Sequence, residues 1–445
     1  MSHGVANEAT DLSERFLAAV LRAWQQGDAA LVEAALATWA TGADERSVEY
    51  WVQRVYADSC FERDTLSSSV RSAGSAARVI GDEVALARIA ASVIDALYSD
   101  WRPSRDARQW LDVLRGVAYA RLLALPLSQR LEIAAGLLAA DLFGEALSIA
   151  AQVAKSVAAW VSEGPEVAAT VRGNALGYAL EYFSDQRQWQ VAHTLVQQID
   201  LLYQEPGFGS VGRARVSSRR GFYYHYRRGD YSGALLHSHE AVTQAKLAGV
   251  ARPEREASIT VTLCHLMRGE LSAAEHALSL EEAAIPEGHL MLRANVHYER
   301  SWLRALQRDV VNAQRELDTA CRLFSEIDEH GVMSLATPSL QAQLLLQVGE
   351  YDSALNVYEM RTRRPDAWLI DMALIEASRD LSRNERARAV EALRRGLLVA
   401  ARIDLKGSLW ACRDEFTQLL RLAIAENIEP DWVRSAAAAR LIALN

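Results

Sequence analysis

Between Arg213 and Asp230 the chain reads RARVSSRRGFYYHYRRGD, which places six arginines and four aromatic rings within 18 residues. A guanidinium is a planar array of donors matched to carboxylate or phosphate, and an aromatic ring adds a flat apolar face. Together on one surface they suit a peptide carboxylate, an anionic metabolite or a sugar. Projected on a helical repeat, Arg219, Tyr223 and Tyr226 share the inner face of one first helix. Asn295, Tyr298 and Trp302 share that face in the next repeat but one, and Asn174 and Glu181 occupy it in the repeat before. The first six are the candidate ligand or partner groove. Two other readings stay open on the same residues: aromatic stripes at helical spacing also suit inter-repeat core, and the arginines could touch nucleic acid.

Other candidate chemistry is weaker. His237 and His239 stand two apart with Glu240 beside them, but residues i and i+2 point to different sides of a helix and cannot clasp one metal. Glu281-Glu282 sits at a helix end and reads as a solvated pair. A phosphate-cradling loop needs Gly-x-x-x-x-Gly-Lys-Ser/Thr; none of Lys155, Lys246 and Lys406 has that context, and Lys406 precedes Gly407-Ser408 in reversed order. There is no Gly-x-Ser-x-Gly elbow. Cys60, Cys264, Cys321 and Cys412 are far apart, as reduced thiols on helix faces would be. The expectation is a non-enzymatic protein without metal or cofactor.

The elements that must position the groove residues are helices. Stretches such as SERFLAAVLRAW, NAQRELDTACRLFSEI and RARAVEALRRGLLVAARI carry apolar residues at i, i+3, i+4 and i+7, and no convincing alternating strand occurs. About twenty helices are expected. With Gly144, Arg187, Gly229, Gly269, Arg308, Gly349 and Asn384 as turn positions, the intervals are 43, 42, 40, 39, 41 and 35 residues. Five residues beyond each turn stand Ile149, Ala192, Ala234, Ala274, Ala313, Ala354 and Ala389. A small residue there lets the two helices of a hairpin approach closely. Gly27-Asp28 and Gly81-Asp82 are earlier turns at looser spacing. The fold expected is an all-α, right-handed superhelical solenoid of antiparallel helix pairs with a period near 40. It divides into irregular repeats over 1–125, a regular array over 126–428 and a capping helix over 429–445. The Arg228-Gly229-Asp230 triplet is then a helix joint rather than an adhesion signal.

Gly229-Asp230-Tyr231-x-x-Ala234 with Ala241, and Gly349-Glu350-Tyr351-x-x-Ala354 with Tyr358, resemble the turn and second helix of the tetratricopeptide repeat. The first-helix half departs from that pattern: Gly221, Phe222 and His225 stand where the family has Leu, Gly and Tyr. The period also exceeds the family's usual length of about 34. Both departures resemble the long-repeat sensor array of the large ATP-dependent bacterial transcription activators, the maltotriose-responsive one included. The tail LLRLAIAENIEPDWVRSAAAARLIAL, Leu419 to Leu444, resembles the segment that closes such arrays. The resemblance implies an effector-sensing role, while the ATPase and DNA-binding modules of those activators have no counterpart here.

Composition sets further bounds. The formal charge of −9 argues against a protein that coats nucleic acid, and no direct nucleic-acid binding is expected. Only three of the 48 basic residues are lysines, a bias that with abundant alanine reads as a GC-rich bacterial genome. Arginines interrupt the apolar runs before the length of a membrane span, and MSHGVANEATDLSERF has no charged leader before an apolar stretch. The protein is expected in the cytoplasm. Its partner is expected to be a protein or peptide, or an anionic or sugar-like effector. Three readings compete: a regulatory sensor array, a general interaction scaffold, and an enzyme built on an α-solenoid, the last without any residue in its support.

Overall fold

The computed structural model describes residues 2–42, 47–100, 105–142, 147–186, 188–327, 337–359 and 366–444. Among these the regular structure is helical throughout, with 23 α-helices and no strand. The helices pair along the chain as an all-α repeat solenoid requires. Pairs include α10 (Ala169–Asp185) with α11 (Trp189–Leu202), α16 (Leu290–Leu306) with α17 (Val310–Ile327), α18 (Thr337–Gln347) with α19 (Tyr351–Glu359), and α20 (Asp366–Ser382) with α21 (Arg386–Arg402).

The expected turn register holds where it is described. Gly229, Gly269, Arg308, Gly349 and Asn384 all take left-handed φ values, from 59° to 80°. The residue after each turn donates its N–H to a carbonyl five or six positions back: Asp230 to Tyr224, Glu270 to His265, Asp309 to Arg304, Glu350 to Leu345 and Glu385 to Asp380. Reversed bonds of this kind satisfy carbonyls that the helix end leaves open. Ala192, Ala234, Ala274, Ala313, Ala354 and Ala389 are all wholly buried. Where α16 meets α17, Ser301 Oγ donates to the Ala313 carbonyl at 2.7 Å, a crossing that a larger side chain at 313 would obstruct. Gly144 and Arg187 lie outside the described residues. Ile149 departs from the expected register: it precedes the first residue of α9 (Ala150–Glu163), is half-buried, and leaves the buried small position to Ala150.

The Arg-rich stretch is not one continuous α-helix. Helix α12 (Ser210–Phe222) runs into a π-helical turn, Tyr223–Arg228, that ends at Gly229. Asp230 Oδ1 then accepts the Gly233 N–H at 2.9 Å as α13 (Tyr231–Ala248) begins. Earlier, Gly27 and Gly81 make the looser turns with φ of 66° and 70°.

The chain divides into two compact units: residues 1–220 with 239–256, and residues 221–238 with 257–445. In the first, α5 (Glu83–Asp100) packs on α8 (Leu127–Ala140) so tightly that a Cβ on Gly136 would stand 2.3 Å from the Ala91 Cα. In the second, apolar clusters run along the first helices and end at Phe416, Trp432 and Val433 of the last two helices, α22 (Arg413–Ala425) and α23 (Pro430–Ala439). No helix among the described residues is long and apolar enough to cross a membrane.

Candidate functional site: first helices holding a connecting turn

The second unit contains one non-helical stretch that its hairpins alone would not require. After α21, residues 403–412 run without regular structure to the start of α22. They cross the turns of earlier hairpins. A Cβ on Gly229 would lie 2.8 Å from the Lys406 Cβ, and one on Gly269 would lie 3.0 Å from the Arg413 guanidinium carbon. Arg308, at the next turn, pairs with Asp414 and Glu415 at 2.8 Å each.

Side chains of successive first helices hold the backbone of this segment. Trp302 Nε1 of α16 donates to the Trp410 carbonyl at 3.2 Å. From α18, Gln347 Nε2 donates to the Ala411 carbonyl at 2.8 Å, and Gln343 Oε1 accepts the Ala411 N–H at 2.7 Å. Asp371 of α20 accepts the Leu409 N–H at 3.1 Å. The Trp410 ring packs on Trp302, with centroids 4.4 Å apart, and on Tyr298 at 6.0 Å. Peptide N–H and C=O groups are common to every sequence, so such contacts hold this turn whatever its side chains, while the indole contacts select one side chain.

On the opposite side stands Arg440, just past α23. It is wholly buried, with its guanidinium over the Phe416 ring and donating to the carbonyls of Ser408 at 2.7 Å and Leu409 at 3.4 Å. Among the described residues no carboxylate pairs with it directly, although the Asp371 carboxyl acts on it through space, and its Nε has no hydrogen-bond partner there. Burial pulls its guanidinium down to about 10, which still leaves it charged at neutral pH. The segment also carries backbone strain: Asp404 and Leu409 take φ of 50° and 45° without being glycine. A left-handed residue of this kind costs roughly 1–2 kcal/mol. Burial pushes Asp371 up to about 7, against the opposing pull of the Leu409 N–H, the Tyr358 hydroxyl and Arg440.

The first unit fills its polar interior with matched charges. Asp95 of α5 accepts from Arg215 at 2.5 Å and from the Tyr178 hydroxyl at 2.5 Å, with Arg219 at 3.9 Å. Burial alone would raise the Asp95 carboxyl; Arg215, Arg219, Arg252 and the Tyr178 hydroxyl outweigh it and hold it below the usual range. Arg219 lies over the Tyr178 ring at 3.7 Å and reaches Asn174 at 3.3 Å and Glu181 at 3.7 Å. Close by, Arg88 joins Glu49 and Glu132 at 2.7 and 2.6 Å.

The six sequence candidates separate accordingly. Arg219, Tyr223 and Trp302 are only 7%, 2% and 4% exposed, so they line no open surface. Arg219 is committed to Asn174, Glu181 and Tyr178; the inner-face reading joined it correctly to the first two but did not foresee that they would close around it. Trp302 and Tyr298 do face a groove, one already occupied by Trp410. Asn295 is half-buried on the same helix. The Tyr226 side chain lies outside the described ones. Gln343, Gln347, Asp371, Trp410 and Arg440 went unnoticed in the sequence; the Gln343-x-x-x-Gln347 pair, one helical turn apart on a first helix, was the available signal.

Glu281 corrects a second expectation. It is not solvated: it accepts from the Thr262 hydroxyl of α14 (Arg252–Arg268) and shares a hydrogen bond with buried Glu299 of α16. Burial raises both carboxyls, and the Glu281 charge raises Glu299 further. Glu282 alone is exposed, paired with Arg300 at 2.6 Å. His237 stacks on Tyr224 and His239 is exposed. All four cysteines are free, three of them buried, and burial pushes Cys60 up to about 11. No protein-family model matches this chain, and no curated protein matches it in sequence.

Proposed function

We propose that the chain is a non-enzymatic, tetratricopeptide-like binding module whose second unit recognises a short segment of a partner protein. The observation that carries this reading is the hold on the turn 408–411: Trp302, Gln343, Gln347 and Asp371, from three successive first helices, bond its backbone groups. Those contacts suit any peptide that threads the same course. The regulatory form of the proposal, a sensor array of a bacterial transcriptional regulator, draws support from the long repeat and the closing tail. A general scaffold would use the same groove without transmitting a change.

A thermal-shift panel separates partner from effector. Ten-residue peptides with a central tryptophan are expected to raise the melting temperature in proportion to their concentration, as ligands that bind only the folded state do. Citrate, nucleotides and short maltooligosaccharides are expected to leave it unchanged. Strong stabilisation by one of the small molecules, with none by peptides, overturns the peptide reading in favour of an effector sensor.

A further inference from the structure

Independently of the peptide reading, which concerns the second unit, we infer that the first unit holds a site for a small organic cation, an amine with an apolar body. The site is a cleft of about 290 Å³ between α1 (Ser2–Gln26), α3 (Val48–Cys60), α8 and the start of α10. That volume stands at the lower end of the range for small-molecule sites. Every residue that lines it belongs to the first unit. Its rim is open: Leu21 is 39% exposed, and Gln25, Pro126 and Glu166 are exposed as well. Its inner wall includes Trp24 and Tyr56, both buried, with ring centroids 5.1 Å apart and planes inclined at 62°.

Charge selects the ligand. Glu132 and Glu166 both line the cleft, and no arginine, lysine or histidine does. Glu132 shares the Arg88 guanidinium with Glu49, so two carboxylates meet one cation and a negative charge is left over. Gln53, another lining residue, donates to Glu49 at 2.9 Å. Burial pushes the Glu132 carboxyl up in spite of Arg88, and the Glu49 charge adds to that; a second cation in the cleft offsets both. The rings of Trp24 and Tyr56 offer the same cation their electron-rich faces, while the aliphatic wall of Leu127, Val167 and Val171 takes an apolar body. The Trp24 Nε1–H is buried without an acceptor in the protein, which leaves a donor for a hydroxyl or carbonyl on that body. An anion would meet two carboxylates and no base.

The test is isothermal titration calorimetry of the full chain with phenethylamine, 2-phenylethanol and phenylacetate, which share a ring and differ in charge. The amine should bind about fivefold to tenfold tighter than the alcohol, the gain expected of a cation held against aromatic faces and away from water. Phenylacetate should not bind. Leu21→Arg sets a like charge on the open rim, where folding tolerates it, and should weaken the amine about tenfold while sparing the alcohol. Glu132→Gln should remove the preference for the amine; should that variant fail to fold, the wild-type ranking and Leu21→Arg decide alone. Equal binding of amine and alcohol, preference for phenylacetate, binding of none of the three, or amine binding untouched by Leu21→Arg overturns the inference. None of these outcomes bears on the peptide reading of the second unit.

Discussion

The two units meet the same difficulty, polar groups inside a stack of apolar helices, and resolve it differently. In the first, Arg215 and Arg219 converge on Asp95 and Glu181, and Arg88 on Glu49 and Glu132, so cations and anions answer one another. In the second, neutral amides and one carboxyl hold a length of backbone, and Arg440 donates to backbone carbonyls rather than to a carboxylate. Matched charges at close quarters make a scaffold that tolerates no loss. Hydrogen bonds to backbone groups do not depend on the side chains of the segment they hold. On the proposed reading the first interior serves stability and the second serves recognition.

The largest effect should come from breaking the first. Asp95→Ala leaves Arg215 buried without its partner and should cost about 3–5 kcal/mol, read from chemical denaturation. A loss under 1 kcal/mol would show that the network is better hydrated than its burial implies. Trp302→Ala tests the second interior: removal of a buried aromatic should cost about 3–5 kcal/mol or slightly less, because Trp410 can settle into part of the space. Next comes Ala354→Trp, which over-packs a hairpin crossing and should destabilise by roughly 1–3 kcal/mol. An unchanged denaturation curve would break the repeat register.

A pH series sharpens the comparison further. Because folding holds the Asp371 carboxyl near 7, against a usual value of 3.8, the native state binds more protons than the unfolded chain between those values. Stability contributed at this site is therefore greatest below about 4 and declines as pH rises towards 7. Asp371→Asn, which keeps an acceptor for the Leu409 N–H, should flatten the part of that slope not due to Glu281 and Glu299. An identical slope in the variant would remove Asp371 from the account. The smallest effect expected is at a turn: Asn384→Gly at φ 59° should stabilise by up to about 1 kcal/mol, glycine being at ease in that conformation.

The sequence made some of this legible and hid the rest for a physical reason. Turn glycines and the alanines at 234, 274, 313, 354 and 389 report local geometry, so spacing alone revealed them. Trp302 and Tyr298 were singled out because helical projection places them on one face. What fills that face was invisible, since Ala411 meets Gln343 across 68 positions and Arg215 meets Asp95 across 120. Glu281 was misread for the same reason: its partner Glu299 lies on the next helix, and no property of Glu281-Glu282 itself announces that one is covered and the other not.

The most direct test of the backbone grip is competition by the chain's own peptide. A labelled peptide of residues 405–413 should bind the Trp410→Ala chain, and adding Gln347→Ala should weaken that binding about fivefold to tenfold by removing one hydrogen bond to the Ala411 carbonyl. Circular dichroism should show both variants folded. Binding that ignores Gln347, or its absence from a folded Trp410→Ala chain, would contradict the account.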